Sequence, residues 1–525
     1  MRLNGRGLVL RDPPQPIPNG PRDVASVLDA PRRTRPHHEA LVGRHQRFTF
    51  AELDAAADQA ATTLAALGVA SGDRVSASLP NQPDLVVAFL GAMRLGAVWV
   101  GVNTALAPPE KNHMLRDSEA TLCLTTPAIA ETIDACPCNT IDAYGLGTWR
   151  DACRAVGVTG RVVSRPAIDP HAPAAIAYTS GTTGFPKGAV HSQHNMLWPG
   201  ADARDNDPGP ADERHGVVLP LTLLNLMVLG PLFAWLKQTT CVCVDRTDAV
   251  GLRDWIRDER ITRMTFAPAI VHDLLHHRDV ASADLITLRR PECGGTSTPN
   301  ALRQLFLDRF GAPVLTGYGL TEAPTAVSRE MPGDELLPGC SGAAFAPVDL
   351  IVVDENGREV AAGETGEICV RARTVGAWAG VYTPFLGYWN RADATAHALR
   401  GGVLHTGDIG ILDAVGRLFV KDRMNDVVIR GGANVYPAEV ERVLHEHPAV
   451  AACAVLGVPD ERLGERVVAV VQLAPGITVD MGELVRHCRD ELARYKVPER
   501  WVVVDSFVRT PMGKIPKAPL RPLFD

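Results

Sequence analysis

A chain of 525 residues is too long for one ordinary core, and 46% hydrophobic with 22% charged residues describes a globular protein of two or more domains. The formal charge of −7, from 53 basic and 60 acidic residues, supplies no electrostatic footprint for nucleic acid. Eleven scattered cysteines, whose close pairs Cys136/Cys138 and Cys241/Cys243 lack the spacing of a zinc site, point to reduced thiols and a cytoplasmic protein.

The opening MRLNGRGLVLRD lacks the apolar run of a secretory leader. The first twenty or so residues, rich in Pro, Arg and Gly, read as an arm across the surface, with a short basic patch at Arg32, Arg33 and Arg35. From Thr49 helices and strands alternate. Phe50 to Leu67 has helical apolar spacing, Asp73-Arg74-Val75 opens a strand, Leu85 to Leu95 is an apolar helix, and Ala97 to Gly101 a buried strand. Such alternation predicts an α/β fold with covered sheets. Val217 to Leu236 has the length of a membrane span and no charge, but Pro220, Thr222, Asn225 and Pro231 break it into a strand, a turn and a helix start. No membrane span is expected. Asp349 to Arg373, with short alternating runs around ENG and GETG turns, reads as antiparallel hairpins of a small barrel. Strand and helix units return after Asp422, so a boundary falls at 422–426 and divides the chain into 1–424 and 425–525. The expected N-terminal domain is thus two βα sheets plus the barrel, and the C-terminal domain is α+β.

Ala174 to Thr179 should enter a sheet as a strand, and it leads into AYTSGTTGFPKGAVHSQHN at 177–195. There Thr179, Ser180, Gly181, Thr182, Thr183 and Gly184 offer hydroxyls and successive backbone N–H groups in which a polyphosphate can nest. Lys187 adds a mobile positive charge, and a helix expected to begin near His191 would add its N-terminal dipole. A Walker loop needs G-x-x-x-x-G-K-[ST], whereas Pro186 stands in place of the second glycine and Gly188 in place of the magnesium-binding hydroxyl. The pattern predicts phosphate binding without a P-loop NTPase.

The loop resembles the phosphate-binding signature of the adenylate-forming superfamily, which includes acyl-CoA synthetases, firefly luciferases and the adenylation domains of peptide synthetases. The resemblance runs from about Thr49 to Lys517, with further motifs in the family's order. Thr316-Gly317-Tyr318-Gly319-Leu320-Thr321-Glu322 resembles the second signature, which implies Tyr318 and Gly319 at adenine, Thr321 on phosphate and Glu322 on Mg²⁺. Gly294-Gly295-Thr296 is similar to the glycine-rich segment along adenine and the acyl pocket. His405-Thr406-Gly407-Asp408 resembles the TGD motif, whose carboxylate accepts both ribose hydroxyls, and Asp422-Arg423 the DR pair, with Arg423 on the ribose. Arg509 to Ile515 resembles the last signature, in which Lys514 bridges the carboxylate and the α-phosphate. Arg430-Gly431-Gly432-Ala433-Asn434 resembles the segment along the thiol's approach, where Gly431 and Gly432 let pantetheine pass close to backbone.

The resemblance implies an AMP-forming, ATP-dependent acid–thiol ligase of the stand-alone acyl-CoA synthetase branch, using ATP, Mg²⁺ and CoA. Lys514, Glu322, Thr183 and Lys187 are its implied catalytic set. A carboxylate is a poor electrophile, and attack on the α-phosphorus of ATP converts it to an acyl-AMP with a phosphate leaving group. In the family a mobile C-terminal domain then turns about a hinge, withdraws the lysine and presents another face to the thiol. No carrier-domain serine signature follows Lys514, so a peptide-synthetase module is not expected, while the motifs alone leave luciferase-like oxidation open.

Two positions depart from the family's pattern. Ligases of the family usually place an aromatic residue and a histidine after the proline-leucine near 220, whereas this chain reads Pro220-Leu221-Thr222-Leu223-Leu224-Asn225, with Leu223 in the histidine's place. Leu223, Leu224, Asn225 and Ala323, with Gly295 and Gly319, are the expected pocket lining. They suggest a greasy pocket for a hydrophobic acid, with bulky acids in reach. At the hinge, Asn425 stands where the family has Lys or Asp. Two alternatives follow: an enzyme confined to one half-reaction, exchanging acyl-AMP with a partner enzyme, or a non-catalytic ATP-binding protein of the same fold. His272 and His276 in HDLLH lack the glutamate of a zinc site, and Cys293 is expected in a pocket wall.

Overall fold

The computed structural model describes residues 1–140, 165–179, 186–207, 209–294, 298–423, 426–430, 433–460, 463–492, 494–510 and 513–525. The helix Phe50–Ala66 begins where local chemistry fixes it: Thr49 Oγ1 accepts from the Glu52 N–H while the Glu52 carboxylate accepts from the Thr49 N–H. The helix Pro83–Leu95 carries proline at its first position and ends on Gly96, whose φ of 69° needs a residue without Cβ. Apart from Asp84 and Arg94 it is apolar on all sides, as suits a helix buried on all sides. Burial of Leu85, Val86, Phe89 and Leu90 contributes about 1.5–3 kcal/mol each. The two helices pack so closely that a Cβ on Gly91 would meet that of Ala60 at 2.7 Å. Buried Arg94 ties them together, facing Asp54 and, at 2.7 Å, Asp58.

Two large sheets follow. The first has seven strands in the order Gly387–Tyr388, Lys187–Ser192, Pro173–Thr179, Val98–Gly101, Arg74–Ser78, Leu122–Thr125 and Cys138–Thr140. It is parallel except at the first two, which run antiparallel to their neighbours. The second contains the parallel strands Arg290–Cys293, Arg263–Phe266, Arg214–Val217, Thr240–Cys243 and Glu39–Val42. The antiparallel strands Val348–Val353 and Gly366–Ala372 lie where the hairpin reading put them. They are hydrogen-bonded onward to the parallel strands. Leu315–Gly319 pairs in parallel with Arg290–Cys293 and antiparallel with Ala326–Arg329, so the meander continues the parallel sheet edge to edge into one thirteen-stranded path. A strand with partners on both sides satisfies its backbone groups, and this junction could not be read from strand patterning.

After residue 426 a smaller sheet joins Ala433–Val435, Val428–Arg430, Gly464–Leu473 and Val450–Asp460, with Arg500–Val503 parallel to Gly464–Leu473. The helices Pro437–His445 and Met481–Glu491 pack Val440, Leu444 and Leu484 onto one face, and Phe524 closes the other over Leu456 and Val468. Asp422 Oδ2 accepts from the Ala438 N–H at 2.8 Å, so a residue of the large unit caps the first helix of the small one. Among the described residues no helix is long and apolar enough to cross a membrane. The uncharged 217–236 run instead holds the short helices Leu224–Met227 and Phe233–Leu236 with a wide turn between them.

Candidate active site

Thr179 ends one strand and Lys187 begins the next, the two being register partners in an antiparallel pair. Ser180, Gly181, Thr182, Thr183 and Gly184 lie outside the described residues. Here the structure corrects one expectation. Residues from Lys187 to Ser192 are strand, and the helix starts only at Gln193. Its N-terminus is therefore at the far end of a six-residue strand, about 17 Å from Lys187 at strand rise. The N-terminal dipole of the helix Gln193–Asn206 is therefore set back from Lys187 by the length of that strand. His191 is buried within that strand, its Nδ1 3.2 Å from Asn195 Oδ1, and burial pushes its pKa down to about 4. A neutral imidazole cannot serve as a phosphate-holding cation.

The second motif forms a hairpin. Leu315–Gly319 runs up, Leu320 N–H donates to Thr325 O at 2.8 Å across the turn, and Ala326–Arg329 runs back. Thr321 and Glu322 stand at the tip. Tyr318 is buried in the strand and its hydroxyl donates to Asp408 Oδ2, which joins the expected adenine residue to the expected ribose residue. Asp408 lies on Leu404–Leu412 and faces Arg423 in register, so the TGD and DR motifs meet across one strand pair.

The turn that carries Asp408 has a brace that motif reading missed. Glu367 Oε1 accepts from the Gly407 N–H at 3.1 Å, and Oε2 contacts His405 Nδ1 at 2.8 Å and Arg400 Nη2 at 2.7 Å. Thr406 Oγ1 accepts from the Asp408 N–H and donates to Ile368 O. Gly407 takes a φ of 71°. Glu367, Cys369 and His405 bring three potential ligand atoms within 4.8 Å of one another. Two cues argue for a brace rather than a metal centre: Arg400 already neutralises the carboxylate, and burial pushes the Cys369 thiol up to about 12. The signal in the sequence was the glutamate of GEICVRA, which was read only as a hairpin.

The acid-pocket candidates split. Leu224 and Ala323 are buried, while Leu223 is half-buried against the main core and Asn225 half-exposed in the first turn of Leu224–Met227. Asn81 holds this segment: its Nδ2 donates to Val217 O, Leu219 O and Val244 O, and its Oδ1 accepts from the Leu221 N–H at 2.8 Å. Gly319 is exposed and crosses the hairpin closely, since a Cβ there would lie 2.0 Å from Thr325 O. Gly294 follows Arg290–Cys293, while Gly295 and Thr296 fall outside the described residues, as do Asn425, Gly431 and Gly432. Cys293 is buried and its thiol is pushed up to about 12 by burial, which suits a wall and not a nucleophile. His272 and His276 stack at 4.1 Å on an exposed helix face.

Lys514 is exposed on a turn closed by Thr510 N–H to Lys514 O at 2.8 Å, with Gly513 at a φ of 78°. A Cβ on Gly513 would be 3.7 Å from Ala267, the residue just after Arg263–Phe266. The C-terminal turn therefore reaches the carboxyl edge of the parallel sheet, where Gly294 and the 319–322 turn also emerge. Crevices beyond that edge are the usual ligand position in open α/β sheets. Glu322 offers a hard carboxylate for a divalent cation, with Oε1 held by the Tyr388 hydroxyl at 2.6 Å and no ion pair among the described residues.

Against this geometry, comparison with known proteins is direct. The AMP-binding enzyme family matches residues 28–378, and its C-terminal domain matches residues 439–514. A feruloyl-CoA synthase of Amycolatopsis sp is 35% identical over 501 residues, covering 94% of this chain and 97% of that one. A long-chain-fatty-acid–CoA ligase of Mycobacterium tuberculosis is 34% identical over 485 residues, 90% and 93% of the two chains. The crystal structure of the anthranilate CoA ligase AuaEII in complex with anthranoyl-AMP superposes with a TM-score of 0.85 at 27% identity, covering 95% and 97%. The chain belongs to the AMP-binding enzyme family, in the CoA ligase branch of the adenylate-forming superfamily. It is an ATP-dependent acid–thiol ligase whose small-molecule substrates are ATP, a carboxylic acid and CoA.

Proposed function

We propose that this enzyme activates a hydrophobic carboxylic acid, aryl or bulky aliphatic, as an acyl-AMP and passes the acyl group to CoA in the cytoplasm. The observation that supports this most is the hydrogen bond from Tyr318 to Asp408 beside the Thr321–Glu322 turn, which brings together the residues read as adenine, ribose and phosphate contacts. An oxygen of the acid attacks the α-phosphorus, the bond to the bridging oxygen breaks, and pyrophosphate leaves. Lys187 and the 179–184 loop hold the outer phosphates, and Lys514 neutralises charge on the five-coordinate phosphorus. Glu322 would hold Mg²⁺, which would offset the charge of the triphosphate. The CoA sulfur then attacks the acyl carbon and AMP leaves, after a domain spanning 425–525 has turned on the 1–424 domain at Asn425 and brought Gly431 and Gly432 to the thiol.

Leu223, Leu224, Asn225 and Ala323 wall the acid site with apolar or uncharged groups, which disfavours a second charge on the acid. The test is incubation of the full chain with MgATP and a panel of aliphatic, aryl and polycyclic acids, with and without CoA, read by mass spectrometry. Acyl-CoA that appears only with CoA supports the proposal. Acyl-AMP that accumulates unchanged by CoA would restrict the enzyme to the first half-reaction.

A further inference from the structure

Tyr388 lies outside the motifs named above, yet it touches residues from two of them. The strand Gly387–Tyr388 pairs antiparallel with Lys187–Ser192 at Ala189 and Val190. Its neighbours are pinned by Leu386 N–H to Val190 O at 2.7 Å, Trp389 N–H to Gly188 O at 2.8 Å and Phe385 N–H to Glu322 O at 2.8 Å. The Tyr388 N–H donates to Thr395 Oγ1 at 2.9 Å, and the Phe385 ring meets its ring edge to face at 4.8 Å. The side chain thus leaves a fixed backbone. Its hydroxyl donates to Glu322 Oε1 at 2.6 Å, and Lys187 Nζ lies 5.3 Å from the ring centroid.

We propose that Tyr388 is a positioning residue for the cation–triphosphate part of the site: its hydroxyl orients the Glu322 carboxylate for a divalent cation, and its ring holds the Lys187 ammonium ready for phosphate. The inference rests on reading Lys187 and Glu322 as phosphate and cation holders. An ammonium and a carboxylate on either side of one residue would neutralise each other if they met, and that pair would have to break before ATP could bind. Among the described residues neither forms an ion pair. A hydroxyl donor occupies one carboxylate oxygen and leaves lone pairs for a hard cation. The face of an aromatic ring attracts an ammonium without cancelling its charge. The two contacts use different parts of the side chain, so substitution separates them.

The experiment measures ATP binding to the full chain by calorimetry, with and without Mg²⁺, beside the two half-reactions. In wild type Mg²⁺ should tighten ATP binding. Tyr388→Phe keeps the ring and should lose about tenfold of that gain while Mg²⁺-free binding stays as in wild type. Tyr388→Leu should in addition weaken Mg²⁺-free binding by about threefold. The Mg²⁺ concentration for half-maximal adenylation should rise in Tyr388→Phe, and conversion of chemically supplied acyl-AMP to the thioester should not change. A Mg²⁺ gain in Tyr388→Phe equal to that of wild type overturns the proposal, as does no gain in wild type or an equal loss in both half-reactions. A wild type that shows the Mg²⁺ gain but activates no acid would refute the ligase substrate reading while leaving the role of Tyr388 standing.

Discussion

Replacing Gly101 by alanine should damage acid recognition while sparing the nucleotide pocket. Gly101 ends the strand Val98–Gly101 against the segment that continues into Leu223, and a Cβ there would stand 1.8 Å from Thr222 O. Since Cβ contacts under 3.0 Å are essentially never seen, the carbonyl must retreat by at least 1.2 Å, the difference of the two. It has little room. Leu221 is fully buried with its N–H on Asn81, and the Leu223 N–H donates to Pro220 O at 3.0 Å. The shift is therefore passed on to Leu223 and Leu224. Overpacking of this kind costs about 1–3 kcal/mol of stability, and displacement of a substrate wall by about 1 Å costs about 100-fold in kcat/KM. Steady-state kinetics on the acid, with ATP affinity from direct binding, would check this. A Gly101→Ala variant with wild-type kcat/KM for the acid and a wild-type melting temperature would refute the reasoning.

Three further expectations concern other parts of the site. The unfolded chain takes up a proton on His191 near pH 6.5 and the folded one only near 4, so the stabilising effect is whole above 6.5 and is lost as pH falls. This group alone should withdraw up to about 3 kcal/mol between those values. His191→Leu should accordingly flatten the fall in melting temperature across the same window, and a profile parallel to wild type would contradict it. Glu367→Gln removes the charged acceptor from Gly407 and His405 and should raise KM for ATP about tenfold with KM for the acid unchanged; equal rises would indicate general damage. Lys514→Ala should slow adenylation by about 100-fold or more, measured by pyrophosphate release, and leave thioester formation from supplied acyl-AMP intact. Loss of both would place Lys514 elsewhere in the cycle.

The local geometry of the candidate site was legible where its residues cluster along the chain. The Tyr318–Glu322 run needs only a hairpin, and Asp408 with Arg423 needs only two adjacent strands, so short motifs carry nearly all of their geometry. Helix boundaries at Thr49 and Gly96 were similarly local, set by a reciprocal cap and a left-handed glycine. The start of the helix expected near His191 lies two residues later, at Gln193. Residues 187–192 alternate too weakly to separate strand from helix, and only pairing with Pro173–Thr179 and Gly387–Tyr388 makes them a strand. Residues acting through long separations gave no signal. Glu367 lies 40 residues from Gly407, Asn81 lies 140 from Leu221, and Tyr388 lies 66 from Glu322.

By itself the sequence determined the α/β class, the order of the motifs, and the uncharged character of the residues proposed to line an acid pocket. These follow from periodicity and from residue types whose chemistry does not depend on distant neighbours. The tertiary structure alone decided that the antiparallel strands join the parallel ones in one hydrogen-bonded path, that residues 187–192 are strand up to the helix at Gln193, and that Glu367, Asn81 and Tyr388 contact residues of the candidate site. Each is a matter of which backbone groups and side chains find partners across the fold, and those partnerships form only when chain segments far apart in sequence pack together.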